Sequence, residues 1–173
     1  MYFNDSATAR LNIRPLTLSD SEDWIPFFID NPSDKFLALS FNTSPMPNQS
    51  RAWIERQLLR YRENRYGLLA LTDKTTRKLV GMCGLLTQEV DGQAELEIGY
   101  HLLPAYLGKG LATEAAIYFK NYAFNNDLAD SVISIIHEDN ILSQRVAEKN
   151  GMSKTIYTTY YNMPVYIYRV NKE

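Results

Sequence analysis

One cysteine in 173 residues, Cys83, leaves no internal disulfide to staple the chain. A fold held by packing alone suits a reducing compartment, so a cytoplasmic location is expected. No run of 18 apolar residues occurs, which excludes a membrane-spanning helix. The start, Met1-Tyr2-Phe3-Asn4-Asp5, lacks a basic region followed by an apolar core, so it does not read as a signal peptide. Neither sign of charge dominates. Eighteen Lys and Arg against twenty Asp and Glu leave a net charge of -2, too little to draw nucleic acid or an anionic membrane. There is no internal repeat, no low-complexity tract and no linker that divides the chain. Hydrophobic residues make up 45% of the sequence, an ordinary share for a globular protein. The expectation is a single domain over residues 1–173, with its core from about 10 to 171. It would be a monomer or a homodimer, and no metal is expected.

What is present concentrates between Tyr106 and Ala115: Tyr106-Leu107-Gly108-Lys109-Gly110-Leu111-Ala112-Thr113-Glu114-Ala115. This stretch joins an extended apolar run, Glu95 to Leu103, to a helical one, Leu111 to Phe124. Two glycines at such a joint let the backbone approach a ligand closely. The helix that follows offers free N–H groups and its positive dipole end, which together make a phosphate site. A P-loop is excluded because Leu111 follows Gly110 where Lys is required. The dinucleotide fingerprint fits poorly because Thr113 takes the third small-residue position, and Asp127 and Asp130 precede the next apolar run instead of ending it. A plain strand-to-helix turn is the competing reading.

The segment resembles motif A of the Gcn5-related N-acetyltransferase (GNAT) superfamily, whose loop [RQ]-x-x-G-x-[GA] cradles the pyrophosphate of acetyl-CoA. The variant Glu97-Ile98-Gly99-Tyr100 followed by Gly108 to Ala115 is most similar to the branch that acetylates N-terminal residues of ribosomal proteins. A second block, Asn140-Ile141-Leu142-Ser143 and then Glu148-Lys149-Asn150-Gly151-Met152, is similar to that branch's N-x-x-S … EK-x-G-[FM] pattern. The opening Leu11-Asn12-Ile13-Arg14-Pro15-Leu16 is similar to its first strand. Ala105 departs from the pattern, standing where Arg or Gln is usual. The resemblance implies acetyl-CoA as cofactor, CoA as product, and an amine acceptor, either a protein N-terminus or a small amine. It implies cofactor contacts from Gly108, Lys109, Gly110, Leu111, Ala112 and Thr113, from the backbone of Tyr100, His101 and Leu102, and from Asn140. The alternative function is a CoA-binding sensor or interaction module without catalysis. A nucleotide-binding regulator is weaker, since neither nucleotide motif is complete.

Periodicity places these motifs. Residues 10–16 read as a strand. Ser19 to Glu22 reads as a capping box opening a helix through about Ile29, with Pro26 at a bend or a first turn. Residues 31–47 read as a loop, and Asn48 as the cap of a second helix carrying Trp53 or Ile54, Leu58 and Tyr61. Strands are expected over 66–71, 79–90 and 94–102, with a polar turn 72–78 and a tight turn at Asp91-Gly92. A helix burying Leu111, Ala115, Phe119 and Tyr122 leads to the strand 132–137. A helix capped by Asn140 or Asp139 then runs to Asn150, where Gly151 terminates it, and two tyrosine-rich strands close the chain around Asn162-Met163-Pro164. The fold class is mixed α/β: a mostly antiparallel central sheet with one parallel pair, made by the right-handed crossover 95–137, flanked by helices. The resemblance implies that this parallel pair splays to admit the cofactor arm.

Acetyl transfer to an amine needs an unprotonated amine, a donor to the carbonyl oxygen, a proton for the leaving thiolate, and attack geometry. Ser143 is the candidate donor to the thiolate, against the plainer role of bonding local backbone. Asn140 is read as a cofactor ligand or as a helix cap. Glu97 is the candidate base; Glu95, two residues away on the same strand face, shares the candidacy, and a solvated strand face is the alternative. His137 is a further candidate base or a structural histidine. Lys109 meets phosphate or solvent, and Glu114 is expected to face away from phosphate. Tyr157, Tyr160, Tyr161, Tyr166 and Tyr168 serve packing or line an acceptor pocket. Loop 31–47, with Asp34 and Lys35, and the turn 160–165 are the expected acceptor walls. Cys83, in an apolar run, reads as a buried structural thiol.

Overall fold

In a computed structural model, residues 2, 4–29, 31–37 and 45–173 are described. The apolar run after the polar turn at 74–78 is too long for one strand pair to leave exposed. It forms β4 (Leu79–Val90), folded back on β5 (Gln93–Leu102) by a two-residue turn in which Asp91 and Gly92 both take positive φ, 49° and 76°. That backbone matches the twist of the flanking strands. On the far side of β4 lie β3 (Leu68–Asp73), β2 (Leu11–Arg14) and the two-residue β1 (Ser6–Ala7), all antiparallel. After β5 the chain crosses over through α3 (Leu111–Asn125) into β6 (Ser131–His137), parallel to β5. Then come α4 (Ile141–Lys149), β7 (Ser153–Tyr160) and β8 (Met163–Asn171). The eight strands form one sheet in the order β1-β2-β3-β4-β5-β6-β8-β7.

Two apolar layers hold the sheet. On one face Leu111, Ala115, Ala116, Phe119 and Ala123 of α3 pack on Leu85, Leu96, Ile98 and Val132. Tyr122, expected in that stripe, is half-buried, edge-on to Tyr2. The core reaches back to Tyr2, which accepts from the Leu85 N–H at 2.6 Å and donates to the Gly67 carbonyl at 2.5 Å. On the other face Trp24, Phe27, Trp53 and Ile54 pack on Leu68, Ala70 and Met82. Cys83 is buried, and burial pushes its thiol pKa up, as a structural thiol requires.

Several local expectations are corrected. The capping box at Ser19 does not form. Ser19 takes helical φ and ψ with no side-chain cap, and its hydroxyl pairs with that of Thr17 at 2.8 Å. Asp20 governs this corner instead, accepting from the Thr17 N–H at 2.7 Å and holding Arg14 through both carboxylate oxygens, at 2.6 and 2.9 Å. The helix from it, α1 (Asp20–Trp24), tightens into a one-turn 3₁₀ segment over Ile25–Phe28 that has Pro26 in its first turn. Asn48 caps nothing. α2 (Met46–Arg62) begins after Pro45, and Pro47 occupies its first turn, where a missing N–H costs least. The closing turn is Tyr161-Asn162, both at positive φ, so Met163 and Pro164 already belong to β8. Within loop 31–47, a short 3₁₀ turn spans Asp34–Phe36, and residues 38–44 lie outside the described residues. No helix among the described residues is long and apolar enough to cross a membrane.

Candidate active site

The parallel pair β5–β6 is joined at one register point, Glu97 opposite Ile133, and then diverges. Side chains break the ladder. The Ile135 N–H, next in line to continue it, is hydrogen bonded to the Glu97 carboxylate. The Ser134 hydroxyl takes the Ile98 carbonyl, at 2.9 Å. Beyond that point the Leu103 N–H bonds to the Val80 carbonyl of β4. By strand alternation the backbone groups of Tyr100 and Leu102 therefore point into the gap, whereas those of His101 point toward β4. The gap opens a cleft of about 360 Å³ lined by Tyr100, His101, Leu102, Gly108, Gly110, Ala112, Thr113, Asn140 and Ser143, among others.

At one end of this cleft the backbone turns through Gly108 and Gly110, at φ +73° and +76°. Gly110 is the N-cap of α3 in the left-handed region and supplies no side-chain cap. The first backbone bond into the helix is from the Glu114 N–H to the Gly110 carbonyl, at 3.1 Å. The N–H groups of Leu111, Ala112 and Thr113 precede it and have no intrahelical acceptor. A Cβ on Gly108 would meet no atom within 4 Å, so the space over the loop is open. These donors fit a pyrophosphate. Of the residues expected around phosphate, Lys109 and Leu111 do not line the cleft. Leu111 is core, and the Lys109 ammonium lies over the Tyr106 ring, 5.1 Å from its centre.

Arg10 is the residue here that sequence reasoning missed. Its guanidinium donates to the Lys109 carbonyl at 2.9 Å and to Glu114 at 2.6 Å, while its backbone N–H also reaches Glu114, at 2.8 Å. The Thr8 hydroxyl adds a fourth bond to this corner, to Glu114 at 2.5 Å. Burial pushes the Glu114 carboxyl up, but the bonds from Thr8 and Arg10 outweigh it and hold the group below its ordinary range. Glu114 thus stays ionised and paired with Arg10, and it is turned from the cleft, as expected. No spacing rule connects residue 10 to residue 114, so only the fold could reveal the pair.

Asn140 and Ser143 meet across the cleft from that loop. The Asn140 side-chain oxygen accepts from the Ser143 N–H at 3.2 Å, so Asn140, not Asp139, caps α4. The capping role uses the carbonyl oxygen and leaves the amide NH2 for the cleft. The Ser143 carbonyl accepts from the Tyr100 hydroxyl at 2.8 Å, tying α4 to β5. The Ser143 hydroxyl makes no hydrogen bond among the described residues, which removes the local-backbone role considered for it.

A second cavity, of about 420 Å³, opens from the other face of the sheet. Its walls include Phe36, Leu37, Tyr160, Tyr161 and Met163, the two segments expected to bound an acceptor. The two cavities share Phe36, Leu37, Glu97, Gly99, His101, Ile135 and His137. Glu97 is half-buried at this junction. Desolvation raises its carboxyl pKa, against the hydrogen bonds from Gln88 Nε2, at 2.7 Å, and from Ile135. The Tyr160 hydroxyl donates to Gln88 Oε1 at 3.0 Å, which fixes the Gln88 amide with its NH2 toward Glu97. Glu95 is not at the junction. It is held by Arg169 through two bonds, at 2.5 and 3.1 Å, which withdraws it as a base. His101 stands edge-on to Trp53 and Phe27, and burial lowers its pKa to about 4, so it is neutral at physiological pH. His137 Nδ1 accepts from the Asp139 N–H at 3.1 Å, leaving Nε2 as the nitrogen that can face the junction. Among the other tyrosines, Tyr168 is core and Tyr157 pairs with Glu138 at 2.8 Å. No group of His, Cys, Asp and Glu suited to a metal occurs among the described residues.

A cleft through a splayed parallel pair, floored by a glycine loop and a helix N-terminus, is the architecture of a CoA-dependent acetyltransferase. The chain belongs to the acetyltransferase (GNAT) domain family, whose pattern it matches over residues 10–153. It is an acyltransferase. The protein is 36% identical over 124 residues to uncharacterized protein YkkB of Bacillus subtilis (strain 168), covering 69% of this chain and 70% of that one. It is 26% identical over 153 residues to uncharacterized N-acetyltransferase p20 of Bacillus licheniformis, covering 85% and 81% of the two chains. Its fold is similar to that of RimL, ribosomal L7/L12 alpha-N-protein acetyltransferase, solved in complex with coenzyme A. The TM-score is 0.77 over 98% of both chains, and the identity is 14%.

Proposed function

We propose that this protein is an acetyl-CoA-dependent N-acetyltransferase that transfers acetyl directly to a primary amine in a ternary complex, within one domain spanning residues 1–173. The carrying observation is the junction: the cleft and the second cavity meet on the sheet at Glu97, Gly99, His101, Ile135 and His137, with Phe36 and Leu37 as further shared walls. Two substrates entering from opposite faces of the sheet would touch there.

Acetyl-CoA, when bound, supplies an activated acetyl thioester. The N–H groups of Ala112 and Thr113 and the loop at Gly108 would hold its pyrophosphate. The outward backbone groups of Tyr100 and Leu102 and the Asn140 amide would hold the pantetheine arm. Holding two reactants in attack geometry is the largest single contribution such a site offers. Glu97, its pKa raised toward working pH, accepts a proton from the entering ammonium, directly or through one water. Gln88 and Tyr160 keep that carboxylate aimed at the junction. The Ser143 hydroxyl, unengaged among the described residues, donates a proton to the departing thiolate. Ala105 removes one side-chain contact to phosphate, and the bracing of the Lys109 carbonyl by Arg10 keeps the backbone cradle in shape without it.

The test is thiol release from acetyl-CoA against a panel of amines and N-terminal peptides, with titration of CoA binding alongside. Turnover above the no-acceptor rate is expected. CoA binding with no turnover across the panel would replace this reading with a sensor, and no binding at millimolar CoA would end both.

A further inference from the structure

The second cavity carries more positive charge than a simple amine would tolerate. On α2, Trp53, Arg56, Gln57 and Arg60 fall at i, i+3, i+4 and i+7 and so share a face. All four line the cavity. Trp53 and Gln57 are buried, and Gln57 accepts from the Leu68 N–H at 2.9 Å, which seats the helix. Arg56 and Arg60 are thereby aimed at the same space, four residues apart, where like charges repel. The ion pairs among the described residues engage Arg10, Arg14, Arg51, Arg65 and Arg169, and Arg60 is not among them. Its Nη1 donates to the Tyr66 carbonyl at 3.2 Å, which steers the guanidinium without neutralising it. Among the described residues lining this cavity Glu97 is the one carboxylate, and it sits at the junction, where its charge and that of Arg60 favour each other.

We propose that the acceptor is a compact amine that also carries an acidic group, such as a carboxylate, phosphate or phosphonate, and that Arg60, with Arg56 beside it, receives that group. The inference rests on the acetyl-transfer reading of the same site and names its substrate class. Such a molecule is complementary at both ends: ammonium toward Glu97, anion toward the guanidinium fork, whose planar donors match an oxyanion. Arg60 is half-buried, and burial lowers its pKa, a cost that an anion would relieve. Phe36, Trp53 and Tyr161 give the cavity aromatic walls. About 420 Å³ suits a molecule the size of an amino acid. A polyamine would place its second cation against Arg60.

The test compares amines that differ only in the acid: an L-amino acid against its C-terminal amide, and 2-aminoethylphosphonate against ethanolamine. Polyamines and N-terminal peptides form further arms. The acidic members should exceed their neutral partners in kcat/KM by about tenfold or more, the size of one charge-assisted hydrogen bond. Amino acid amides have the less basic amine, so intrinsic reactivity works against this preference. In Arg60→Gln the acid-over-neutral ratio should collapse toward one, chiefly through KM, and Arg60→Lys should restore part of it. Arg56→Gln gives the same ratio should Arg60→Gln fold poorly. Parity, or a preference for polyamines or for peptides over every small acidic amine, would overturn the proposal while leaving acetyl transfer intact. If no panel member is acetylated, binding to the CoA-saturated protein decides, read by Trp53 fluorescence: tighter acidic members support the proposal, and equal affinities overturn it.

Discussion

At the scale of single residues, Ser143 and Glu97 give separable predictions. Ser143→Ala removes a hydroxyl that makes no hydrogen bond among the described residues while keeping the backbone N–H that Asn140 caps. The expected result is a fall in kcat of about 100-fold or less, with CoA affinity and melting temperature unchanged. A thiolate, its conjugate thiol at a pKa of about 8.5, leaves tolerably without help, which sets the upper bound. Full turnover at unchanged affinity would remove Ser143 from the mechanism. Glu97 titrates above an ordinary carboxyl because burial disfavours its charge. As base it works deprotonated, so kcat/KM should rise with pH through a midpoint above the usual Glu value. Glu97→Gln should abolish that limb and lower activity. The raised pKa also means that folding opposes ionisation, a cost fully present above the folded pKa. At neutral pH the same variant should therefore melt slightly higher, a joint outcome read by pH-rate profiles and calorimetry. Glu97, Ser143 and the glycine loop were legible in the sequence because each falls inside an ordered motif. Gln88 and Tyr160 were not: they act on Glu97 only through a chain of two hydrogen bonds between hairpins 72 positions apart.

At the scale of elements, the joint between β5 and α3 determines whether the helix N-terminus points into the cleft. Gly110 holds the left-handed conformation at φ +76°, with Arg10 Nη2 3.5 Å from where a Cβ would sit. Gly110→Ala should cost about 1–2 kcal/mol of backbone strain. CoA affinity should weaken more than the affinity for the acceptor, because relaxing the strain swings the free N–H groups off the phosphate. Paired CoA titrations and denaturant melts on this variant check both claims, and unchanged CoA affinity would detach the loop from cofactor binding. Elements with strong periodicity were legible: β4 ends where the apolar run ends, and α3 and β6 shift by one residue. The first helix was not, because its capping-box letters are spent differently. Asp20 faces Arg14 and Thr17, a tertiary demand that local patterning does not encode. The start of α2 was missed for a related reason, since Pro45 and Pro47 open a helix without any side-chain cap.

At the scale of the whole molecule, the cleft is also a line of weakness. β5 and β6 share one register point, so side chains must hold the two halves of the sheet together. The Arg169–Glu95 pair does so at the closed end, with Arg169 also donating to Ser131 at 2.6 Å. Tyr100 ties β5 to α4, and Lys120 ties α3 to the Asn150 carbonyl at 2.9 Å. Removing Glu95 strands a largely covered guanidinium, so Glu95→Ala should destabilise by about 2–3 kcal/mol, measurable in urea, and should widen the site enough to raise KM for both substrates. His101 adds a pH dependence of definite sign. Its pKa is lowered from 6.5 to about 4 because burial against Trp53 and Phe27 excludes the charged form. Between those values the unfolded chain binds the extra proton and the folded chain does not. Stability is therefore complete above pH 6.5 and is lost as pH falls toward 4. The full shift corresponds to about 3 kcal/mol, and the partial exposure of His101 in the cleft makes the observed loss smaller. Glu97 acts with the opposite sign, since its raised pKa favours the fold at lower pH. The discriminating measurement is the difference between wild type and His101→Gln in urea midpoints from pH 7.5 to 4.5. The wild type should lose more stability over that range, and parallel curves would show that His101 takes up its proton in the folded protein.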